Sequence, residues 1–238
     1  MKINIAHFYP ELLNLYGDKG NIISLVKRCQ WRGIEAEVRN YSLEDDIDFS
    51  NIDIVFIGGG SDREQLIVCK KLVNIKDDIK EYVESNGVLL GICGGYQLLG
   101  KYYQLHEDKI DGLELLDIYT IQKPGRLIGN VVIETEFGKV VGFENHGGRT
   151  YIEDKDIKPF GKVIYGHGNN GEDKFEGVIY KNVIGTYLHG PLLPKNPKLT
   201  DEIIKRALEK KYNEKIELSP LDDTEEIRAH QFIVNKYK

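Results

Sequence analysis

Val88-Leu89-Leu90-Gly91-Ile92-Cys93-Gly94-Gly95-Tyr96-Gln97 is the stretch of sequence that decides the fold. Residues 88–92 form an apolar run with the length of a buried strand, and Cys93 follows it directly. Glycines on both sides of the cysteine leave room for a sharp turn into a helix. This is the form of a nucleophile elbow, in which a strained strand-to-helix turn presents a nucleophile. The stretch therefore predicts an α/β fold with a reactive thiol at a strand end.

The elements before this stretch alternate between short apolar runs and helical patterns. Strands are predicted at residues 3–6, 34–39, 53–57 and 88–92, and helices at residues 20–32 and in two segments between 63 and 85. Gly58-Gly59-Gly60 ends the third run, and Ser61 and Glu64 have the spacing of a capping box. This rhythm predicts a mainly parallel sheet with helices on both faces, which binds ligands at the carboxyl ends of its strands.

The second half of the chain is rich in predicted strands. They cover residues 113–121, 127–134, 139–143, 162–165, 175–180 and 183–187, so we expect a mixed sheet. Helices return at residues 200–212 and from about 222 to the end. Because no repeat or Pro/Ser-rich linker interrupts the 238 residues, we expect one domain, residues 1–238.

Composition narrows the class of protein. The chain is 41% hydrophobic and 29% charged, which excludes a disordered, collagenous or coiled-coil protein. Its 32 Lys and Arg against 38 Asp and Glu give a net charge of −6, so nucleic acid is not an expected partner. The chain has only three cysteines, and this small, odd number argues against a disulfide framework. With no apolar run of membrane-spanning length and no signal peptide, we expect a cytoplasmic protein.

Cys93 differs from the two other cysteines in its context. Most free cysteines are small buried hydrophobes, and this is the expected state of Cys29 and Cys69 within amphipathic helical patterns. Cys93 instead lies at a predicted helix N-terminus and is flanked by glycines. Glycines would only weaken a core strand or helix, so their presence here indicates a turn rather than a buried packing position. A helix N-terminus favours thiolate over thiol, and thiolate is the attacking species in acyl transfer.

A thiol nucleophile needs a base, and His189 is the best placed of six histidines. It follows the apolar run 183–188 and precedes Gly190-Pro191, so it lies at the end of a predicted core strand, as Cys93 does. A turn or capping histidine is the alternative interpretation. His146 is the second candidate base, and His7, His106, His167 and His230 lack a comparable setting.

Acyl transfer also needs N–H donors for the oxyanion. The backbone N–H of Gly94 and an N–H from the Gly58-Gly59-Gly60 loop are the predicted donors. The triglycine lacks the Lys-Ser/Thr of a Walker motif and the spacing of a dinucleotide fingerprint, which argues against a nucleotide site.

Residues 91–100 together with Tyr187-Leu188-His189-Gly190-Pro191 resemble the class I glutamine amidotransferases, in the branch that includes cobyric acid synthase. Residues 8–21, 58–65 and 142–148 further resemble the GatD-like glutaminase subunits of lipid II isoglutaminyl synthases. The resemblance covers nearly the whole chain. It implies a flavodoxin-like α/β fold, with Cys93 attacking the side-chain amide of L-glutamine and His189 moving the proton to departing ammonia. Gly60 and Gly94 would stabilise the oxyanion.

The resemblance assigns two further residues to substrate binding. Arg126 matches an arginine that holds the substrate, and a guanidinium suits the α-carboxylate of glutamine through bidentate pairing. Gln97, four residues after the nucleophile, is similar to a glutamine that contacts substrate. The alternatives are a solvated loop charge for Arg126 and a packing role for Gln97. No residue is expected to bind a metal.

One position departs from the wider family. Many class I amidotransferases place a carboxylate two residues after the catalytic histidine, and here that position is Pro191. We expect an acidic residue of a partner subunit, or a carboxylate elsewhere in this chain, to orient His189.

The resemblance also implies a partner. GatD-like proteins form a heterodimer with a Mur-ligase-like subunit, MurT, which uses ATP and Mg²⁺ to activate the D-glutamate of the lipid II stem peptide for amidation by ammonia. No nucleotide motif is present here, so no cofactor is expected in this chain.

One alternative function is that of a subunit acting on a corrinoid acid. Cobyric acid synthases carry a fused N-terminal ATP-dependent domain, whereas this sequence starts at its first strand. The other alternative is a non-catalytic regulatory module of the same fold.

Overall fold

The computed structural model describes residues 1–105, 107–154 and 156–237. His106, one of the less favoured histidines, lies outside them. The first half of the chain forms β1 (Lys2–Phe8), α1 (Lys19–Gln30), β2 (Glu35–Tyr41), β3 (Ile54–Ile57), α2 (Asp62–Leu72), α3 (Lys76–Glu84), β4 (Val88–Ile92) and α4 (Gly94–Leu98). The second half forms β5 (Tyr102–Leu105), β6 (Asp108–Asp111), β7 (Ile118–Thr135), β8 (Gly138–Ile152), β9 (Gly161–Tyr165), β10 (Phe175–Glu176), β11 (Val178–Tyr180), β12 (Val183–Thr186), α5 (Pro197–Tyr212) and α6 (Thr224–Lys236).

The first sheet contains the predicted parallel strands. Its order is β2, β1, β3, β4, β12 and β11, and every neighbouring pair is parallel except β11 with β12. The prediction of a mixed, mainly parallel sheet is confirmed here. Gly58 and Cys93 directly follow the adjacent strands β3 and β4, and His189 lies three residues after β12 on the other side of β4. Parallel strands bring their carboxyl ends to one edge, so these residues meet there.

A second sheet accounts for most of the β-rich middle of the chain, which the sequence pattern assigned to one mixed sheet. Its order is β10, β9, β7, β5 and β6, with β8 paired to β7. β7 and β8 form a long antiparallel hairpin, and their backbone groups satisfy each other rather than the edge of the first sheet. The predicted gap after residue 121 is an irregularity within β7, between Gln122 and Leu127.

One buried apolar cluster includes residues of both sheets, among them Ile5 and Leu90 of the first and Ile118 and Ile133 of the second. The capping box at the start of α2 is confirmed, because Glu64 accepts the backbone N–H of Ser61 at 2.8 Å. Within residues 1–105, 107–154 and 156–237, none of the helices has the length and apolar character needed to cross a membrane.

Candidate active site

Cys93 occupies a strained turn between β4 and α4. Its backbone has φ +50° and ψ −103°, a conformation that side-chain-bearing residues rarely adopt. Its N–H donates to the carbonyl of Thr186 at 2.8 Å, and the N–H of Gly95 donates to the carbonyl of Gly58 at 3.1 Å. A Cβ at Gly95 would lie 2.3 Å from the carbonyl oxygen of Ile57, so only glycine lets α4 approach β3 this closely. The turn has the geometry predicted for a nucleophile elbow.

The thiols of the other two cysteines, Cys29 and Cys69, are unreactive. Burial raises the pKa of Cys29 to about 12 and that of Cys69 to about 11. Both thiols therefore stay protonated at neutral pH, and the thiol of Cys69 donates to the carbonyl of Asp111 at 2.7 Å. Their predicted role as small buried side chains is confirmed.

The structure brings His189 to Cys93 around Gly59. His189 is held by two backbone hydrogen bonds to Phe143 of β8, of 2.8 and 3.2 Å, and its side chain is fully buried. A Cβ at Gly59 would lie 3.2 Å from the Cβ of Cys93 and 3.3 Å from Cε1 of His189. Gly59 therefore lets the loop after β3 lie against both side chains.

The electrostatics of His189 suit proton donation. Burial lowers the pKa of this imidazole, but the Cys93 thiolate and the Asp18 carboxylate raise it, and the net pKa is about 10. An imidazolium beside the sulfur therefore persists at neutral pH. A protonated imidazole at this place can deliver a proton to a leaving group, as general acid catalysis requires.

Asp18 is a residue of the site that the sequence reasoning did not single out. It precedes α1 and is fully buried. Its Oδ2 accepts the backbone N–H of Gly59 at 2.7 Å, and its Oδ1 lies 3.5 Å from Nδ1 of His189. Asp18 belongs to residues 8–21, which carry part of the family resemblance, but the proximity to His189 depends on how α1 packs and is not visible in sequence spacing.

His146 does not occupy the position of a base toward Cys93. Its ring stacks flat on Tyr187, with centroids 3.6 Å apart, and Nδ1 lies 2.7 Å from the carbonyl oxygen of Gly148. Burial lowers the pKa of His146 despite the opposing effect of Glu144. The imidazole therefore belongs to the buried packing beneath the site, and His189 is the histidine beside the thiol.

Arg126 is connected to His189 by a series of contacts through two other side chains, those of Asn145 and Tyr16. It lies exposed in the irregularity of β7, where Nε and Nη2 donate to the side-chain and backbone oxygens of Asn145, each at 2.7 Å. The Asn145 amide donates to the hydroxyl of Tyr16 at 2.7 Å. The Tyr16 ring stands edge-on to His189, with centroids 5.0 Å apart. Two side chains thus connect Arg126 to His189, and substrate binding by Arg126 stays a prediction.

The remaining predicted residues surround the nucleophile. Gln97 is buried, and its amide donates to the hydroxyl of Tyr187 at 3.0 Å. Gly60 and Gly94 share a neighbour, because the amide of Gln65 donates to the carbonyl of Gly60 at 3.2 Å and lies where a Cβ at Gly94 would meet it. Substrate contact by Gln97 and oxyanion binding by the two glycines stay predictions.

Known proteins match this chain over most of its length. It is 47% identical to the lipid II isoglutaminyl synthase (glutamine-hydrolyzing) subunit GatD of Staphylococcus aureus (strain N315), over 99% of this chain and 96% of that one. The subunit of the same name from Streptococcus pneumoniae (strain ATCC BAA-255 / R6) is 46% identical over 93% and 86% of the two chains. A solved glutamine amidotransferase, 18% identical, superposes with a TM-score of 0.61 over 85% of this chain and 98% of the other, which shows a shared fold.

The family model of the CobB/CobQ-like glutamine amidotransferase domain matches residues 4–197, a range that includes Cys93, His189 and Asp18. This range takes in β1 from Asn4 onward, the five other strands of the first sheet and every predicted site residue. The chain therefore belongs to the CobB/CobQ-like glutamine amidotransferase family.

Proposed function

We propose that this chain is the glutaminase subunit of a lipid II isoglutaminyl synthase. The observation that carries the proposal is the pairing of Cys93, on a strained strand-to-helix turn, with the buried imidazole of His189. Similarity to GatD subunits over nearly the whole chain identifies the type of amidotransferase and argues against the corrinoid alternative.

The residues support hydrolysis of L-glutamine through a thioester. The sulfur of Cys93 attacks the side-chain amide carbon, and the carbonyl oxygen becomes an oxyanion facing the N–H groups of Gly60 and Gly94. The imidazolium of His189 gives its proton to the departing nitrogen, and ammonia leaves. Water then attacks the thioester while His189 accepts a proton, which releases glutamate and restores the thiolate.

Arg126 is the proposed partner of the α-carboxylate of glutamine. Nε and Nη2 are directed to Asn145, and the guanidinium has five N–H donors, so donors remain for a bidentate contact with a carboxylate. The chain Arg126, Asn145 and Tyr16 would connect this binding group to the ring edge of His189.

Ammonia is useful only if a second subunit consumes it. We infer a heterodimer with a MurT-like Mur-ligase subunit that holds ATP and Mg²⁺ and activates the D-glutamate carboxyl of lipid II. Ammonia then converts this group to D-isoglutamine. The need for ATP supports the expected cytoplasmic location of the complex.

Ammonia release from L-glutamine tests the proposal directly. The purified chain is compared with Cys93→Ala and His189→Ala, alone and co-expressed with a Mur-ligase-like subunit. We expect each substitution to reduce kcat by about 10³-fold or more, because nucleophile and base act as a unit. Cys69→Ala is the matched control, since it removes a buried thiol that stays protonated, and it should retain activity.

The acceptor is tested with the co-expressed pair, ATP and Mg²⁺. Amidation of lipid II that requires Cys93 supports the proposed function, whereas amidation of a corrinoid acid in its place would contradict it. Hydrolysis that survives Cys93→Ala would remove the thioester mechanism and favour a regulatory module.

A further inference from the structure

We propose that Asp18 is the positioning residue that orients His189, in place of the carboxylate that many class I amidotransferases carry two residues after the histidine. The inference rests on the proposed function, because it assigns a role within that active site. In this chain Pro191 occupies the usual position, and the carboxylate reaches the imidazole from the start of α1 instead.

The two oxygens of Asp18 have different tasks. Oδ1 lies 3.5 Å from Nδ1 of His189, and among the described residues neither atom has a hydrogen-bond partner, so each is the nearest available group for the other. Both side chains are fully buried, so water does not compete for this contact. A carboxylate at Nδ1 favours the tautomer with its hydrogen on that nitrogen, which leaves Nε2 to exchange a proton with Cys93. Such contacts are often long before substrate binds and tighten in the reacting complex.

The second oxygen connects the base to the loop after β3. Oδ2 accepts the N–H of Gly59 at 2.7 Å, and the carbonyl of Gly59 accepts the N–H of Leu15 at 2.9 Å. This loop carries Gly60, the predicted oxyanion residue. One carboxylate thus holds both the histidine and the loop in a common geometry.

Packing of α1 fixes where Asp18 lies. A Cβ at Gly20 would lie 2.4 Å from Cγ of Pro191, so the first turn of the helix rests directly on the segment after His189. The Asn21 side chain accepts the N–H of Leu193 at 2.8 Å and locks the same contact. Pro191 therefore has a structural role: it packs against the first turn of α1, and Asp18 lies directly before that turn.

The titratable groups around His189 define the expected effect of removing Asp18. Asp18 approaches from the start of α1, Cys93 from the turn after β4, and Glu176 from β10; the Tyr16 ring covers one edge. Cys93 and Asp18 are the two groups that raise the pKa of the imidazole. Loss of the Asp18 charge therefore lowers the pKa of His189, and the imidazolium loses its proton at lower pH.

The test is Asp18→Asn in the full chain, which keeps the shape of the side chain and removes its charge. Two rates are followed against pH: modification of Cys93 by a diazoketone analogue of L-glutamine, and hydrolysis of L-glutamine. We expect both rate constants to fall by about 10²-fold or more, the alkaline limb of kcat to move to lower pH, and KM to change little.

Asp53→Asn is the matched control. Asp53 is a buried carboxylate at the opposite end of β3 from Gly58, where it accepts hydrogen bonds from Asn4 and Lys211. Its variant should keep the wild-type pH profile.

The outcomes separate this inference from the proposed function. Wild-type rates and an unmoved alkaline limb in Asp18→Asn would overturn the role of Asp18 and point to a carboxylate of the partner subunit. Failure of the wild-type chain to react at Cys93 would instead overturn the proposed function. If thermal melting shows that Asp18→Asn does not fold, Gly20→Ala tests the same geometry, because it keeps the carboxylate and displaces α1 from Pro191. Unchanged kcat in a folded Gly20→Ala chain would also contradict the inference.

Discussion

At the scale of single residues, the chemistry of the site depends on charges that are buried together. The pKa of His189 would fall on burial alone, and it rises to about 10 only because an anionic sulfur and a carboxylate face the ring. A histidine at its ordinary pKa would be largely neutral at pH 7, so few molecules would hold the proton that the departing nitrogen needs. The reactive state of the pair is therefore a property of Cys93, His189 and Asp18 as a group.

Cys93→Ala should lower the pKa of His189. The substitution removes the thiolate, which is one of the two groups that stabilise the imidazolium, while the desolvation of the ring remains. The pKa is measured by following the imidazole nitrogen resonances of His189 against pH. A pKa that stays near 10 in Cys93→Ala would show that the sulfur contributes little.

At the scale of secondary-structure elements, the short strand β10 holds the turn that leads to His189. Glu176 is fully buried in β10, where it accepts the N–H of Tyr187 at 2.7 Å and the hydroxyl of Thr186 at 2.8 Å. Burial raises the pKa of Glu176 to about 8, although both hydrogen bonds oppose this. The carboxyl group is consequently protonated in the folded protein at neutral pH.

Glu176→Gln should fold and show a weaker pH dependence of stability than the wild type. Because the folded pKa of about 8 exceeds the ordinary value of 4.5, the folded wild-type chain holds a proton that the unfolded chain releases between these pH values. The free energy of unfolding therefore falls as pH rises from 4.5 to 8, on the order of 1 kcal/mol per pH unit. Urea unfolding at a series of pH values measures this slope.

Glu172→Gln is the matched control for that slope. Glu172 is exposed and paired with Lys123 at 2.8 Å, so the same substitution there should leave the fall in stability between pH 4.5 and 8 as it is in the wild type. An equal slope in Glu176→Gln and the wild type would contradict a protonated Glu176.

At the scale of the whole molecule, a buried ion cluster joins three helices that are distant in sequence. Arg28 of α1 contacts Asp201 of α5 at 2.6 Å and Asp223 at the start of α6 at 2.6 Å, and Arg32 contacts Asp201 at 2.7 Å. Both carboxylates raise the pKa of the Arg28 guanidinium, although burial opposes them. Since Asp18 directly precedes α1, this cluster also helps to fix the position of the helix that follows the carboxylate.

Arg28→Ala should destabilise the protein by at most about 3–5 kcal/mol, because Asp223 loses the guanidinium that contacts it and Asp201 is left with Arg32. Chemical unfolding followed by circular dichroism measures the change. Arg228→Ala is the matched control, since Arg228 and its partner Glu225 are exposed and such pairs contribute about 0–1 kcal/mol. A similar small loss in both variants would show that the cluster is not a structural anchor.

Local sequence signals predicted the parts of the molecule that depend on neighbouring residues. The strand and the glycines around Cys93, the capping box at Ser61 and Glu64, and the helix near residues 20–32 follow from spacing alone. The second sheet was not predicted, because the pattern of a strand does not show which other strand it pairs with. In the structure β7 pairs with β8 instead of extending the first sheet. The route from Arg126 through Asn145 to Tyr16 was missed for the same reason.

The sequence by itself predicted the elbow around Cys93, because strand periodicity, glycine and helix capping act within a few residues along the chain. The resemblance of its motifs predicted the family. The tertiary structure alone decided that Asp18 faces His189, that His146 packs on Tyr187 and that Arg126 bonds to Asn145. These placements require segments separated by tens to hundreds of residues to pack against each other, and packing depends on shape and burial across the whole core. The site thus combines a locally encoded thiol with an electrostatic environment that only the folded chain creates.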